Sequence, residues 1–300
     1  FFKYMSIILL LNCGRKKEPN YISLKTKIQI IKASGEKAWF SSVKLRKSLQ
    51  RSGASEAIIE AVIQEVQDHL QEGMTTKKIY QLAFNILKKK HQPAASKYKL
   101  KKAIMELGPS GYPFEKYVSE ILKYQGHKVK LNQNLKGRCV NHEIDILAER
   151  DGVQKVFECK YHNLQGTICD VKIPLYVHSR FNDIHANPEN KMSEGWIATN
   201  TRFSTDAIAY ALCSKLNLLG WDYPEGNGIR EMVDQARLYP ITCLQSLSQK
   251  ERVPIMEAGL VLCRDVPFNK KLFKELGFSP DRVEQIIAEA TILSQQNLLE

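Results

Sequence analysis

Residues 142–160 read HEIDILAERDGVQKVFECK, and this stretch decides the fold of the central part of the chain. Asp151 and Gly152 stand between two runs rich in apolar residues, which is a strong signal for a β-hairpin with a two-residue turn. In that register, residues whose numbers add up to 303 face each other across the two strands. The sequence therefore predicts antiparallel strands over 142–149 and 153–160.

The charged residues of this hairpin fall on one face of it. The register puts Asp145 opposite Glu158 and Glu143 opposite Lys160. Because side chains alternate along a strand, Asp145, Glu158 and Lys160 share a face. The other face is predicted to supply the core with the apolar side chains Ile144, Ile146, Phe157 and Cys159.

Two carboxylates that face each other at about 4.5–5.5 Å repel and destabilise a sheet, so Asp145 and Glu158 predict a cation between them. A hard divalent cation such as Mg²⁺ or Mn²⁺ suits carboxylate ligands and leaves positions for water and a phosphate oxygen. Lys160 would then orient a hydrolytic water or neutralise a phosphate. The alternative is a solvent-exposed charged ribbon held by a Glu143–Lys160 pair.

The segments around the hairpin alternate between helix and strand. A helix with an apolar stripe at Phe114, Val118 and Leu122 precedes it. After it, we expect a helix near 171–184, a strand at 194–199, a helix at 204–216 and a last strand from Asn217 to Trp221. The sequence therefore predicts an α/β fold with a central mixed sheet.

The hairpin resembles the active-site motif of a known superfamily. Asp145 followed by Glu158-Cys159-Lys160 resembles the PD-(D/E)xK core of the restriction-endonuclease-like nucleases, and Glu143-Ile144-Asp145-Ile146 resembles its E-I-D-I variant. Gly111-Tyr112-Pro113-Phe114-Glu115 resembles the start of the acidic helix in Mrr-type members. The glycine that often precedes the aspartate in Mrr-type sequences is absent.

This resemblance spans about 110–222 and implies a restriction-endonuclease-like nuclease domain over 110–225. It implies that Glu115, Asp145, Glu158 and Lys160 are catalytic and that Asp145 and Glu158 bind the metal, Mg²⁺ or Mn²⁺. The alternative for Glu115 is an exposed first-turn glutamate favoured by the helix dipole. Tyr161 follows the motif directly together with His162, and both are interpreted either as substrate contacts or as packing and capping residues.

The positive charge of the chain lies almost entirely in its first third. The chain of 300 residues has a formal charge of +12, and residues 1–110 alone carry 21 Lys and Arg against 8 Asp and Glu. A basic region of this kind indicates an anionic partner, such as DNA or a nucleotide. The alternative is a solvated lysine-rich surface.

Residues 25–100 resemble the ATP-cone, a small helical nucleotide-binding module. The matching stretches are Ile30–Gly35, Phe40–Leu45, Gly73–Tyr80 and Ala94–Tyr98. The resemblance implies an ATP-cone-like domain over 26–105 that binds ATP or dATP through Lys32 and Lys44, with Lys97 or the Thr75–Thr76 region nearby. Because Ala33 stands where family members commonly have arginine, one phosphate contact is missing. The alternative is a helical domain whose basic face binds DNA.

The segment after the nuclease-like part is predicted to be helical over 229–300. Gly259 marks a turn between apolar helical stretches, as in helix-hairpin-helix modules that dock backbone amides on DNA phosphates. The segment is slightly acidic, however, so we interpret it as a structural cap or as an oligomerisation surface. Self-association into a homo-oligomer is therefore one expectation.

The cysteines and the hydropathy pattern indicate a cytoplasmic protein. The seven cysteines are odd in number and none forms a C-x-x-C pair, which argues against a zinc ribbon and a disulfide framework. The sequence has no run of 18 apolar residues, so no membrane-spanning helix is expected. Residues 1–25 are interpreted as a translated upstream stretch or an extension outside the fold.

Together these patterns predict a metal-dependent endonuclease that hydrolyses DNA phosphodiester bonds and is regulated by ATP or dATP. The main alternative is a non-catalytic, nucleotide-responsive DNA-binding protein. A protein-interaction adaptor is a third reading. The acid, acid and lysine of the motif favour the enzyme.

Overall fold

The computed structural model describes residues 28–32, 34–164 and 166–295. The strands are β1 (Gln29–Ile31), β2 (Lys37–Trp39), β3 (Met74–Thr75), β4 (Lys128–Lys136), β5 (Asn141–Arg150), β6 (Val153–Lys160), β7 (Ile168–Cys169), β8 (Met192–Thr199), β9 (Arg202–Phe203) and β10 (Asn217–Leu219). The segment 1–25 lies outside the described residues.

The α-helices alternate with these strands and continue beyond them. They are α1 (Ser42–Arg51), α2 (Glu56–Asp68), α3 (Thr76–Lys90), α4 (Gln92–Tyr98), α5 (Leu100–Ile104), α6 (Tyr112–Tyr124), α7 (Lys172–His185), α8 (Thr205–Cys213), α9 (Ile229–Ala236), α10 (Gln249–Glu257), α11 (Lys270–Glu275) and α12 (Pro280–Ser294). Short 3-10 helices lie at Ile241–Cys243 and Cys263–Phe268.

The N-terminal part has its own small sheet and its own hydrophobic core. The sheet has the order β2-β1-β3, and α1 to α4 bury an apolar cluster of which Leu49, Val62 and Leu87 are fully shielded from solvent. Helix α1 begins at Ser42 because the Ser41 side chain caps it by accepting a hydrogen bond from the Lys44 amide at 3.4 Å.

The central sheet has the order β10-β8-β6-β5-β4 and is mixed. Strands β4, β5 and β6 pair antiparallel, whereas β8 pairs parallel with both β6 and β10. Phe157 belongs to the apolar cluster that contains Phe114 of α6 on one face, and the neighbouring residue Val156 belongs to the cluster that contains Phe181 of α7 on the other face. The predicted α/β class with a central mixed sheet and C-terminal helices is confirmed.

Close packing of α7 on the sheet depends on a glycine. A Cβ atom at Gly195 of β8 would lie 2.3 Å from Cδ2 of Phe181, a distance that no side chain tolerates. Gly195 therefore lets α7 lie directly against β8. The residues of α7 next to Phe181 are thereby held close to the sheet.

The turn of the β5–β6 hairpin has the predicted form. Asp151 has φ 53° and Gly152 has φ 77°, and both angles lie in the left-handed region that a two-residue hairpin turn requires. The ladder pairs Arg150 with Val153 and continues to Ile146 opposite Phe157, so every pair fits the predicted register. The Asp-Gly interpretation is confirmed for this part of the hairpin.

The C-terminal helices share a core with the sheet. Residues of α9 to α12 belong to the apolar cluster that also contains α6 and one face of the sheet. The Tyr117 hydroxyl on α6 donates a hydrogen bond to the carbonyl of Leu238 at 2.8 Å, so the polar atom of this buried ring is satisfied. The C-terminal segment thus covers α6 from the side opposite the sheet.

None of the helices in the described part of the chain is both long enough and apolar enough to cross a membrane.

Candidate active site

The two strands of the hairpin separate at the residues that the sequence singles out. The regular ladder ends at Ile146 opposite Phe157, and Asp145 and Glu158 are not paired in it. The backbone amide of Cys159 instead donates a hydrogen bond to Oδ2 of Asp145 at 2.6 Å. The Asp145 carboxylate therefore accepts the amide hydrogen bond that a backbone carbonyl of β5 would accept in a regular ladder. It lies between the diverging strands.

The separation of the strands also changes the side of the sheet on which the β5 side chains lie. Ile144 packs in the cluster under α7, whereas Ile146 packs in the cluster with α6 on the other side of the sheet. The prediction that Ile144 and Ile146 share a face is therefore wrong. The pairing of β4 with β5 also skips Asp145 and its neighbour Asn132, which has φ 51°. The simple alternation of a strand fails here because both neighbouring ladders are interrupted.

Glu158 is almost completely buried, at 4% exposure, and both of its oxygens face a cation. The Lys160 ammonium donates to Oε1 at 2.6 Å, and the Arg180 guanidinium donates to Oε2 at 2.6 Å. Burial lowers the pKa of Lys160, but the hydrogen bond and the charge of Glu158 outweigh it and raise that pKa. The Glu143–Lys160 pair of the charged-ribbon alternative is not among the ion pairs of the described residues.

Asp145 has a carboxyl group that resists ionisation. Burial and then the negative charge of Glu158 raise the pKa of Asp145 to about 6, although the Cys159 amide bond opposes this. Within the described residues, no hydrogen bond reaches its other oxygen, Oδ1. Asp145 therefore offers a free carboxylate oxygen at the point where the strands diverge.

Glu115 lies in the first turn of α6 and adds a third carboxyl group. Burial, followed by the charges of Asp145 and Glu158, raises the pKa of Glu115 to about 7. A Cβ atom at Gly111 would lie only 3.1 Å from Oε1 of Glu115, so the glycine leaves room for this side chain. Glu115 is thus electrostatically coupled to the two hairpin acids and is not an isolated surface glutamate.

Arg180 on α7 is the site residue that sequence reasoning missed. Besides Glu158, its guanidinium donates a hydrogen bond to the carbonyl of Glu143 and lies 5.6 Å from the centroid of the Tyr176 ring. A weak signal exists, because a basic residue placed three residues after Val177 and four before Ile184 borders the buried stripe of α7. Nothing in the sequence connects it with Glu158.

These side chains meet at an open, strongly polar cleft of about 400 Å³, which we call the carboxylate cleft. Its walls are formed by Asn141, His142, Glu143, Asp145, Glu158, Tyr176 and Arg180. Glu115 and Lys160 are not wall residues, and they act on the cleft through their interactions with Asp145 and Glu158.

One edge of the cleft is fixed by an aspartate clamp. Asp183 accepts hydrogen bonds from the amides of Cys139 at 2.8 Å and Val140 at 3.3 Å, and its Oδ2 lies 2.7 Å from Nε2 of His142. These bonds hold the pKa of Asp183 well below its usual range, with the His142 contact as the largest cause. The clamp therefore orients His142 in the wall of the cleft.

The donor set suits a hard divalent cation in kind, because the acids offer carboxylate oxygens and raise one another's pKa. Across the described ranges, no three or more His, Cys, Asp and Glu side chains are grouped around one point as metal ligands. Binding between Asp145 and Glu158 therefore requires that a Glu158 oxygen exchange its bond to Lys160 or Arg180 for one to the cation.

The two residues after the motif make structural contacts. The Tyr161 hydroxyl donates to the carbonyl of Met105 at 2.7 Å, and its ring packs 5.8 Å from that of Phe114. The His162 amide donates to Asn200 Oδ1 at 2.9 Å. These contacts agree with the packing and capping interpretation.

The lysines assigned to nucleotide binding lie in the N-terminal part. Lys32 forms an exposed ion pair with Glu36 at 2.9 Å, and Lys44 lies in the first turn of α1. Thr75 caps α3 by accepting from the Lys78 amide at 3.3 Å. The Lys97 ammonium lies 5.7 Å from the ring centroid of Tyr239 and therefore faces the C-terminal segment.

Comparisons with known proteins place the chain in a family. The model of the AF1548-like, C-terminal family matches residues 239–294. An uncharacterized protein from Archaeoglobus fulgidus is 37% identical over 174 residues, which cover 58% of this chain and 97% of that protein. The chain therefore belongs to the AF1548-like family.

Two solved structures are similar to this chain. The crystal structure of the protein of unknown function AF1548 has a TM-score of 0.54 at 36% identity and covers 61% of this chain and 98% of that chain. Protein VC1899 from Vibrio cholerae has a TM-score of 0.28 at 13% identity, covering 65% of this chain and 52% of that chain. A TM-score this low does not indicate a shared fold.

Proposed function

We propose that the protein is a divalent-metal-dependent endonuclease that hydrolyses DNA phosphodiester bonds. The observation that carries the proposal is the end of the β5–β6 ladder, where Asp145 and Glu158 lie beside Lys160 in an open cleft. A sheet gains nothing from burying carboxyl groups where its strands diverge, so these groups have a role other than stability.

Asp145 and Glu158 would hold the cation through their carboxylate oxygens. A bound Mg²⁺ or Mn²⁺ supplies Lewis-acid polarisation of the phosphate and lowers the pKa of water. Lys160 keeps its charge, as its raised pKa shows, and its ammonium neutralises a phosphate or orients the attacking water. Glu115, with a pKa of about 7, accepts or returns a proton at its carboxylate near neutral pH.

The N-terminal part is proposed to bind ATP or dATP as an effector. The support is the ATP-cone resemblance, the surplus of positive charge and the positions of Lys32 and Lys44 near the β1–β2 turn and the capped start of α1. A helix start with a neighbouring lysine is favourable for a phosphate group.

The test is cleavage of plasmid DNA in the presence of Mg²⁺ or Mn²⁺. Asp145→Asn preserves the shape of the side chain and its bond to the Cys159 amide, but it removes the negative charge. We expect cleavage to fall by about 100-fold or more, because several kcal/mol of transition-state stabilisation are lost. Glu149→Gln on the same strand, exposed and outside the cleft, is the matched control and should cleave like the wild type.

Lys160→Met extends the same assay. Glu158 keeps its bond to Arg180 in this variant, so the fold is retained while the ammonium is lost. We expect a loss of about 100-fold, with Lys130→Met on exposed β4 as the control. Equal cleavage by the wild type, Asp145→Asn and Lys160→Met would exclude this site.

The second candidate function is a non-catalytic, nucleotide-responsive DNA-binding protein. The observation that favours it is the saturation of Glu158, whose two oxygens are held by Lys160 and Arg180. Such a protein would bind DNA with a steep salt dependence. That binding would not require a divalent cation and would not be lost in Lys160→Met.

A further inference from the structure

A second cavity lies where the N-terminal helices meet the C-terminal segment, and we call it the junction cavity. It has a volume of about 200 Å³ and is lined by Tyr80, Gln81, Phe84, Lys88, Lys99, Lys102, Gln245 and Arg252. Helix α3 forms one wall, and α5 and the start of α10 form the others. The cavity is independent of the carboxylate cleft and shares no residue with it.

Several buried polar atoms of this cavity have no hydrogen-bond partner within the described residues. They are Oη of Tyr80, Oε1 of Gln245 and Nε of Arg252. Arg252 is only 8% exposed, and its other nitrogens bond to Glu106 at 2.8 Å and to the Leu244 carbonyl at 2.6 Å. Each unpartnered buried group costs free energy, and three residues that line this one cavity carry such a group, which points to a ligand as the missing partner.

The charge of the cavity is positive. Glu106 faces three cations, with Nζ of Lys99 at 3.2 Å, Nζ of Lys102 at 3.6 Å and the Arg252 guanidinium at 2.8 Å. Lys88 adds a fourth cation to the lining. Burial and then the charge of Arg252 lower the pKa of Lys99, while Glu106 opposes this shift.

One further acid, Glu289 of α12, binds the backbone beside this cavity. Both oxygens of Glu289 already accept hydrogen bonds from backbone amides, those of Gln245 and Ser246, at 2.8 Å each. The Gln245 amide is adaptable, since its Nε2 donates to the Ser96 hydroxyl at 3.0 Å and a hydroxyl can also donate. A half-turn of this amide keeps the bond and directs its NH₂ group into the cavity.

We propose that the junction cavity binds the phosphate group of a phosphorylated small molecule. An arginine, three lysines, a tyrosine hydroxyl and an amide are donors that suit phosphate oxygens, and charge-assisted bonds of this kind are strong. An adjacent cavity of about 450 Å³ shares Lys88 and Gln245 with it and has room for the rest of a larger ligand. The bound group would join α3 of the N-terminal part to α10 of the C-terminal part.

The test is calorimetric titration of the full chain with inorganic phosphate, tripolyphosphate and ATP at low salt. Tyr80→Phe removes only the unpartnered hydroxyl and keeps the ring that stacks on Tyr98 at 5.0 Å. We expect the affinity of every probe that binds the wild type to fall about tenfold, the loss of one charge-assisted hydrogen bond. Tyr98→Phe makes the same change outside the cavity and should leave the affinity unchanged.

A second pair of variants tests the charge without touching the core. Lys88→Ala should weaken binding, whereas Lys89→Ala, the next exposed residue of α3, should not. Equal affinity for phosphate and ATP assigns recognition to the phosphate group alone, and tighter ATP binding assigns the remainder of the ligand to the adjacent cavity. Both results support the proposal.

The proposal is overturned if no probe binds, or if Tyr80→Phe and Lys88→Ala bind all probes like the wild type. It is also overturned if ATP binding is lost only when Lys32 and Lys44 are replaced by alanine. Because the readout is binding, the result does not depend on whether the chain cleaves DNA.

Discussion

The carboxylate cleft and the junction cavity both contain buried charged groups, but the excess charge is negative in the cleft and positive in the cavity. At the carboxylate cleft, the acids Glu115, Glu143, Asp145 and Glu158 lie near two cations, Lys160 and Arg180. At the junction cavity, the four cations Lys88, Lys99, Lys102 and Arg252 lie near one acid, Glu106, which pairs with three of them. The pKa of Asp145 is raised and that of Lys99 is lowered, so in each region burial and like charge disfavour the charged form. The comparison teaches that each region lacks charge of the opposite sign, a cation in one and an anion in the other.

The largest effect on stability is expected from Arg180→Met, which deepens the shortage of positive charge in the cleft. Glu158 is 4% exposed and would keep only Lys160 as a partner. We expect the free energy of unfolding to fall by about 2 kcal/mol, because a buried carboxylate loses one of its two charge-assisted bonds. Chemical denaturation in EDTA measures the change.

Lys172→Met, at an exposed position of the same helix, is the matched control and should stay within about 0.5 kcal/mol of the wild type. Added Mg²⁺ should restore more stability to Arg180→Met than to the wild type, since the cation replaces the lost charge. A variant as stable as the wild type would show that the cleft has no shortage of positive charge and would break the comparison.

A smaller effect is expected from pH, through Glu115. Its pKa in the folded protein is about 7 against an ordinary value of 4.5, so between these values the folded protein binds more protons than the unfolded chain. Stability is therefore greatest below the lower pKa and falls as the pH rises through the upper one. Asp145, raised from 3.8 to about 6, contributes in the same direction.

Glu115→Gln removes one source of this loss. We expect the decrease in unfolding free energy between the two pH limits to become smaller by on the order of 1 kcal/mol after solvent screening. Denaturation curves of both proteins in EDTA across that pH range give the difference, and the titrating groups that do not interact with Glu115 cancel. Parallel pH profiles would contradict the coupling of Glu115 to the two hairpin acids.

The sequence predicts the sheet better than it predicts the site. The Asp151-Gly152 turn is a local signal, and it sets the register of the β5–β6 pairs as far as Ile146 and Phe157. The face of Ile144 could not be predicted in this way, because it depends on interruptions in two neighbouring ladders. The two-residue strands, such as β3 and β7, are not predicted because they are too short to show periodicity.

Arg180 and the junction cavity show where prediction from sequence ends. Arg180 reaches Glu158 from α7, which packs closely on β8 where Gly195 makes room for Phe181. The junction cavity combines residues from Tyr80 to Arg252, and no spacing rule relates side chains so far apart in the chain. In both cases tertiary packing creates the contact, whereas the motif acids Asp145 and Glu158 are linked by a turn that the sequence itself specifies.

The most direct test of the central claim is the position of Mn²⁺ in a crystal of the protein, located by its anomalous scattering. The account predicts one peak about 2.1 Å from carboxylate oxygens of Asp145 and Glu158, with Lys160 or Arg180 displaced from its Glu158 oxygen, and no such peak in Asp145→Asn. A cleft without a peak, in crystals where Mn²⁺ is ordered elsewhere and Glu158 still holds both cations, would contradict the account.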